Sequence, residues 1–192
     1  MIIHKIISIP FILIYFTMTA QINREAQIIS LPVEENGTIP NNNTLPVMIY
    51  KNVFRFNDTD PAAVIESVFS KNNWGGSWRN GIFTYHHYHS TAHEALGVYA
   101  GWAEVQLGGE GNDPLRIEKG DLVILPAGTG HKKIDSGDGF AVVGAYPDGQ
   151  QYDMNYGKQE ELERAKKNIA NVPLPQNDPV FGKDGTIFTY WK

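Results

Sequence analysis

Residues Gly81–Gly101 read GIFTYHHYHSTAHEALGVYAG, and four of the six histidines of the 192-residue chain fall inside them. The first half is rich in aromatic and β-branched residues, which predicts a β-strand. Residues two apart on a strand share a face, so His87 and His89 aim their imidazoles at one point while His86 and Tyr88 turn away. After a short polar break Glu94 opens a second apolar strand, from which its carboxylate is placed to close on the same point. Two imidazoles and a carboxylate, with positions left open, suit a divalent first-row metal. Tyr85 shares the parity of His87 and His89. It is the acid/base or substrate contact the pattern offers, and equally an aromatic core filler. His86 has the wrong parity for the site, and His93, directly before Glu94, faces away from it.

A second stretch answers the first. Gly120–His131 reads GDLVILPAGTGH: a buried-strand run over Leu122–Leu125, a turn at Pro126-Ala127-Gly128, and His131 placed to bring a third imidazole. Together the two stretches resemble the two signature motifs of the cupin superfamily. The first, G-x5-H-x-H-x3–4-E-x6-G, is met by Gly81, His87, His89, Glu94 and Gly101. The second, G-x5-P-x-G-x2-H-x3-N, is met by Gly120, Pro126, Gly128 and His131, with Asp135 where the family has Asn. The resemblance implies an all-β fold, a double-stranded β-helix or jelly-roll barrel with a few peripheral helices. It also implies that His87, His89, Glu94 and His131 are the metal ligands. The segments NGTIPNNNTLPVMIY, WGGSWRNGIFTYHHYHSTAHEALGV, VVGAYPDG and VPLPQNDPVFG are similar to the small bacterial YjlB-like cupins, a group that brings no substrate with it.

The rest of the chain bounds the reading. It is long enough for one domain with a real core. Nineteen Gly and eleven Pro suit a turn-rich β-protein. A net charge of -5 without a basic patch argues against nucleic acid. The absence of cysteine excludes disulfides, thiolate metal sites and thiol catalysis. Residues 1–20, MIIHKIISIPFILIYFTMTA, resemble a secretory signal peptide: Lys5, then an apolar run too short for a comfortable transmembrane span, then small and polar residues. The expectation is a periplasmic or secreted protein with no stable membrane anchor once processed. The alternatives are an uncleaved anchor, or a start codon set too far upstream and a cytoplasmic protein.

Residues 21–44 read as an extended arm. Residues 45–192 then form a single domain, with a core barrel over about 80–147 and a C-terminal helix and strand within 158–192. Pro46 puts the strand Leu45–Val53 at a sheet edge. Asp60-Pro61 caps a helix with an apolar stripe of Val64, Ile65, Val68 and Phe69. Asn73–Trp78 is expected as a tight turn and Thr186–Trp191 as a final strand. Leu96, Val98, Ala100 and Trp102 share the parity of Glu94 and are expected to face inward. Phe83, Tyr85 and Trp102 are expected around the barrel mouth, hinting at a partly apolar or ring-shaped ligand.

Functionally, the pattern supports a mononuclear three-histidine, one-glutamate site for one divalent ion (Fe, Mn, Ni, Co or Zn) acting on a small molecule, as an oxygenase or isomerase. The alternative is a module that binds metal or small ligand without turnover. An intact ligand set and a single small domain argue against a storage protein. A homodimer is expected if the arm adds to a neighbouring sheet edge.

Overall fold

The computed structural model describes residues 21–57 and 59–192. The expected leader, residues 1–20, lies outside the described residues. In chain order the strands and helices are β1 (Gln21–Ile22), β2 (Gln27–Leu31), β3 (Val47–Lys51), β4 (Phe54–Arg55), α1 (Pro61–Lys71), β5 (Trp74–Asn80), β6 (Glu94–Leu107), β7 (Leu115–Glu118), β8 (Leu122–Leu125), β9 (His131–Pro147), α2 (Leu162–Ile169) and α3 (Ile187–Tyr190). The architecture is the mostly antiparallel, sheet-dominated jelly roll that the two motifs imply, with helices at its periphery.

The main sheet runs β2-β3-β8-β6-β9-β5, with β7 added on β6. Its organising pair is β6 and β9, which stay in register contact from Ala95↔Ala145 to Leu107↔His131. Such long strands curl only where the ladder is interrupted, and this one shifts register between Val98 and Ala100, Ala100 and Trp102, and Glu104 and Val105. Gly101 sits in the middle of these shifts at φ +59, where a Cβ would lie 2.3 Å from the Gly137 carbonyl oxygen. Only glycine fits there, and the strand bends at it. On its other edge β6 pairs first with β8 and then with β7.

Alternation sorts the strands onto two cores. Val47, Ile49, Leu96, Val98, Val123, Leu125 and Val142 fill the inner face. Met48, Tyr50, Ala95, Leu122, Ile124, Val143 and Ala145 fill the outer face, beneath Ile65 and Phe69 of α1 and Trp191 of the C-terminal segment. Both sides of β3 and β8 are therefore dry, which is why VMIY and LVIL are unbroken apolar runs. Each such side chain contributes roughly 1.5–3 kcal/mol on burial. Asp60 caps α1 as expected, its carboxylate accepting from the Ala63 N–H at 3.1 Å.

Four expectations are corrected. β3 is interior, between β2 and β8, because Pro46 falls just before it and its missing N–H costs the ladder nothing. Asn73–Trp78 is largely strand β5, whose glycines are absorbed by a register irregularity between Gly75 and Trp78. The final strand is instead the short helix α3, in which the Ile187 N–H is drawn to Asp178 Oδ2 at 3.3 Å. Finally, the shifts around Gly101 move the inward parity from Val98 to Ala103 and Val105. Ala100 and Trp102 leave the inner core, and Trp102 lies under the Arg116 guanidinium, 4.0 Å from its ring centroid.

Candidate metal centre

The histidine-rich segment is not a regular strand. The backbone bends at Thr84 and Tyr85, and only His87 and Tyr88 form bridges, to His131 and Asn155. The parity argument survives because those bridges hold the backbone extended. The His87 N–H donates to the His131 carbonyl at 3.2 Å, and the His131 N–H returns to the His87 carbonyl at 3.0 Å. Residues opposed in this way point to one face, and the two rings lie 4.0 Å apart by centroid. His89 follows on the same side. Ligand-capable atoms of His87, His89 and His131 all lie within 4.8 Å of one another, and all three residues are buried.

Glu94, at the start of β6, completes the group. Its Oε1 is 3.6 Å from His89 Nε2 and its Oε2 is 3.5 Å from His131 Nε2. The structure thus brings together His87, His89, Glu94 and His131 from separate stretches.

The hydrogen bonds of the three imidazoles decide which nitrogens are free. His87 Nδ1 meets the Tyr85 carbonyl at 3.3 Å, His89 Nδ1 the Asp153 carbonyl at 2.6 Å, and His131 Nδ1 the Thr129 carbonyl at 3.0 Å. A carbonyl only accepts, so each Nδ1 carries the proton and each Nε2 presents a bare lone pair. Glu94 is similarly half used: Oε1 accepts from the Tyr146 hydroxyl at 3.0 Å, while buried Oε2 has no hydrogen-bond partner. Three bare imidazole nitrogens and one orphaned carboxylate oxygen, crowded and dry, fit a metal site.

The electrostatics favour the neutral ring for His87 and His131, and the charged one for His89. Burial alone would raise the Glu94 carboxyl, but His89, His131 and Tyr146 outweigh it and hold it at about 2. Burial, followed by the nearby charge of His87, pushes His131 down to about 3. Burial and then His89 also lower His87. Burial opposes charge on His89 as well, yet the adjacent Glu94 carboxylate raises it.

A cavity of about 240 Å³ opens beside these donors. Its walls include Trp78 and Arg79 from β5, Ile82, Phe83, Leu96, and Tyr152 and Met154 from the loop after β9. The Arg79 guanidinium is turned to Glu66, at 2.7 and 2.6 Å, and to Asp60 at 3.2 Å. Asp153 latches that loop onto the histidine segment, accepting from the Ser90 and Thr91 N–H groups and the Ser90 hydroxyl.

Tyr85 does not line the cavity. The bend at Thr84–Tyr85 breaks the parity, leaving Tyr85 45% exposed and stacked on Phe83 at 4.9 Å. The tyrosine that meets the donors is Tyr146. Its strand offered the signal: Gly144 pairs with Leu96 and Val142 with Val98, so Tyr146 shares their inward parity. His93 is fully buried and faces away from the site, accepting the Ala127 N–H on Nδ1 at 3.0 Å. His86 faces Gln106 Oε1 at 3.2 Å.

A Bacillus subtilis (strain 168) protein described as uncharacterized YjlB is 42% identical over 168 residues, 88% of this chain and 98% of its own length. The chain belongs to the YjlB family. No family model matches it. Solved structures similar to this YjlB-family chain include a DUF861 family protein of Thermotoga maritima, 24% identical, covering 52% of this chain and 96% of that one at a TM-score of 0.30. They also include procruciferin, the 11S globulin of Brassica napus, 14% identical over 81% of this chain and 39% of that one at a TM-score of 0.34. Oxalate decarboxylase of Lactobacillus farciminis in its formate complex is 11% identical over 81% of this chain and 41% of that one, at a TM-score of 0.32.

Proposed function

We propose that this YjlB-family cupin holds one divalent first-row metal through Nε2 of His87, His89 and His131 and Oε2 of Glu94, and acts as an enzyme on a small, largely apolar molecule. One observation carries the reading. Each of the four groups spends one polar atom on the protein and leaves the other bare among its fellows. Once bound, Fe, Mn, Ni, Co or Zn supplies Lewis acidity, and a redox-capable ion among them supplies oxygen chemistry.

The chain's own residues supply the rest. The carbonyls of Tyr85, Asp153 and Thr129 hold the three imidazoles in one tautomer. Ile82, Phe83, Leu96 and Met154 give the cavity an apolar wall. Arg79 spends its charge on Glu66 and Asp60, which favours a ligand with no anionic group beyond the one that meets the ion. A cavity beside the donors supports turnover over a sealed metal store.

The test is elemental analysis of the native protein, followed by a turnover screen. Iron with substrate-dependent O2 uptake would support an oxygenase, and zinc or manganese with substrate isomerised would support an isomerase. Tight ligand binding without product would make it a binding module. A protein that neither carries nor takes up metal ends the reading. Residues 1–20 support export, which cell fractionation checks. No helix among the described residues is long and apolar enough to cross a membrane. Strand β2, paired only with β3 among the described residues, leaves an edge that supports a homodimer, which sedimentation checks.

A further inference from the structure

We infer that Tyr146 is a positioning residue that favours metal binding through one oxygen of Glu94, and so sets how many coordination positions remain for a ligand. The inference rests on the metal reading above. Trp78 Nε1 lies 3.0 Å from the Tyr146 hydroxyl, which lies 3.0 Å from Glu94 Oε1. An indole N–H only donates, so the tyrosine oxygen accepts there, and its single proton goes to the carboxylate. The direction of the chain is therefore forced: Trp78 to Tyr146 to Glu94.

The surroundings hold this arrangement. The Tyr146 ring stacks on Tyr152 at 4.8 Å and 22° and meets the edge of His89 at 6.1 Å and 87°. Trp78 lies flat across Gly144, where a Cβ would be 2.1 Å from its ring, so a side chain at that position would push the indole off the hydroxyl.

The consequence is a count. Both oxygens lie near the imidazoles, Oε1 3.6 Å from His89 Nε2 and Oε2 3.5 Å from His131 Nε2, but the Tyr146 proton occupies a lone pair of Oε1 and so favours binding through Oε2 alone. Three nitrogens and one oxygen leave two of about six positions on an octahedral ion, enough for a two-atom chelating ligand. A carboxylate free to bind through both oxygens would leave one.

The experiment uses the full chain loaded with Mn(II), with water proton relaxation reporting exchangeable waters and chelator competition reporting affinity. In Tyr146→Phe the released carboxylate should bind through both oxygens, and the relaxation enhancement per bound ion should fall by about half. Affinity should shift by about tenfold or more. Trp78→Phe keeps the hydroxyl but removes the donor that orients it, and should shift the relaxation in the same direction by less. It carries the test if Tyr146→Phe does not fold. Relaxation and affinity equal to wild type, in whichever variant folds, overturn the inference and leave the metal reading standing. A wild-type chain that takes up no Mn(II) overturns both.

Discussion

Glu94 and Asp178 are both buried carboxylates, each bonded by a tyrosine hydroxyl, yet they do opposite things. Asp178 is saturated by the protein. Tyr50 donates to Oδ2 at 2.6 Å, and the N–H groups of Val180, Phe181 and Ile187 donate at 2.8, 2.9 and 3.3 Å. It ties the C-terminal segment onto the outer face of the sheet, with every lone pair committed. Glu94 receives one hydroxyl and keeps a bare oxygen toward the imidazoles. Asp178 is finished by its fold, whereas Glu94 is left unfinished.

The histidines differ in hydrogen-bond direction instead, for buried His93 Nε2 also has no hydrogen-bond partner. His93 accepts a backbone N–H on Nδ1, so its proton sits on Nε2 and it has no lone pair to offer. His87, His89 and His131 donate from Nδ1, and their Nε2 atoms are bare. Burial does not distinguish the two kinds; hydrogen-bond direction does.

Five variants press on that contrast, in falling order of effect. Asp178→Ala orphans three N–H groups and a hydroxyl, so urea denaturation should register a loss of about 3–5 kcal/mol. Metal affinity of the molecules that stay folded should not change. A loss under about 1 kcal/mol would mean that Asp178 is not the anchor its bonds make it. His89→Ala and Glu94→Gln should reverse the pattern. Metal affinity by competition should drop beyond the ~10–100-fold typical of residues one shell removed, with the metal-free protein still folded. Retained affinity in either variant would break the comparison at its centre.

His93→Leu leaves the Ala127 N–H without an acceptor and should cost about 1–3 kcal/mol of stability in a denaturant titration. Its metal stoichiometry should equal wild type, and a lost metal would place His93 among the ligands. His86→Ala should be the mildest, leaving metal affinity at wild type and costing about 1 kcal/mol of stability through the lost bond to Gln106. Losses in His86→Ala matching those of His89→Ala would show that the facing of the segment is misread.

Much of the donor set was legible because it rests on spacing over short distances. His87 and His89 are two residues apart, and an extended backbone puts them on one side whether or not a full strand forms. Glu94 and His131 were legible from the strands that they open, and the family likeness then implied that they are ligands. Where parity had to be carried farther it failed at identifiable backbone events. A bend at Thr84–Tyr85 took Tyr85 out to the surface, and the register shifts around Gly101 took Ala100 and Trp102 off the inner face. A single residue of slip reverses every later side chain, and such slips carry no periodic signature.

Local rules likewise governed α1, where Asp60 and Pro61 mark the start by chemistry that needs no distant partner. They misplaced the C-terminal strand, because the turn into α3 is drawn by Asp178 and Trp191 is fixed by the Pro46 carbonyl at 2.9 Å.

By itself, then, the order of residues determined the inventory: which imidazoles and carboxylate are available, the alternation of the apolar strands, and family membership. Tertiary structure alone decided which atom of each group stays bare, which tyrosine touches Glu94, and where the cavity opens. The physical reason is range. Side-chain facing on an extended backbone is settled within a few residues, whereas a tautomer or an orphaned oxygen depends on carbonyls and hydroxyls that approach from as far along the chain as Asp153 and Tyr146.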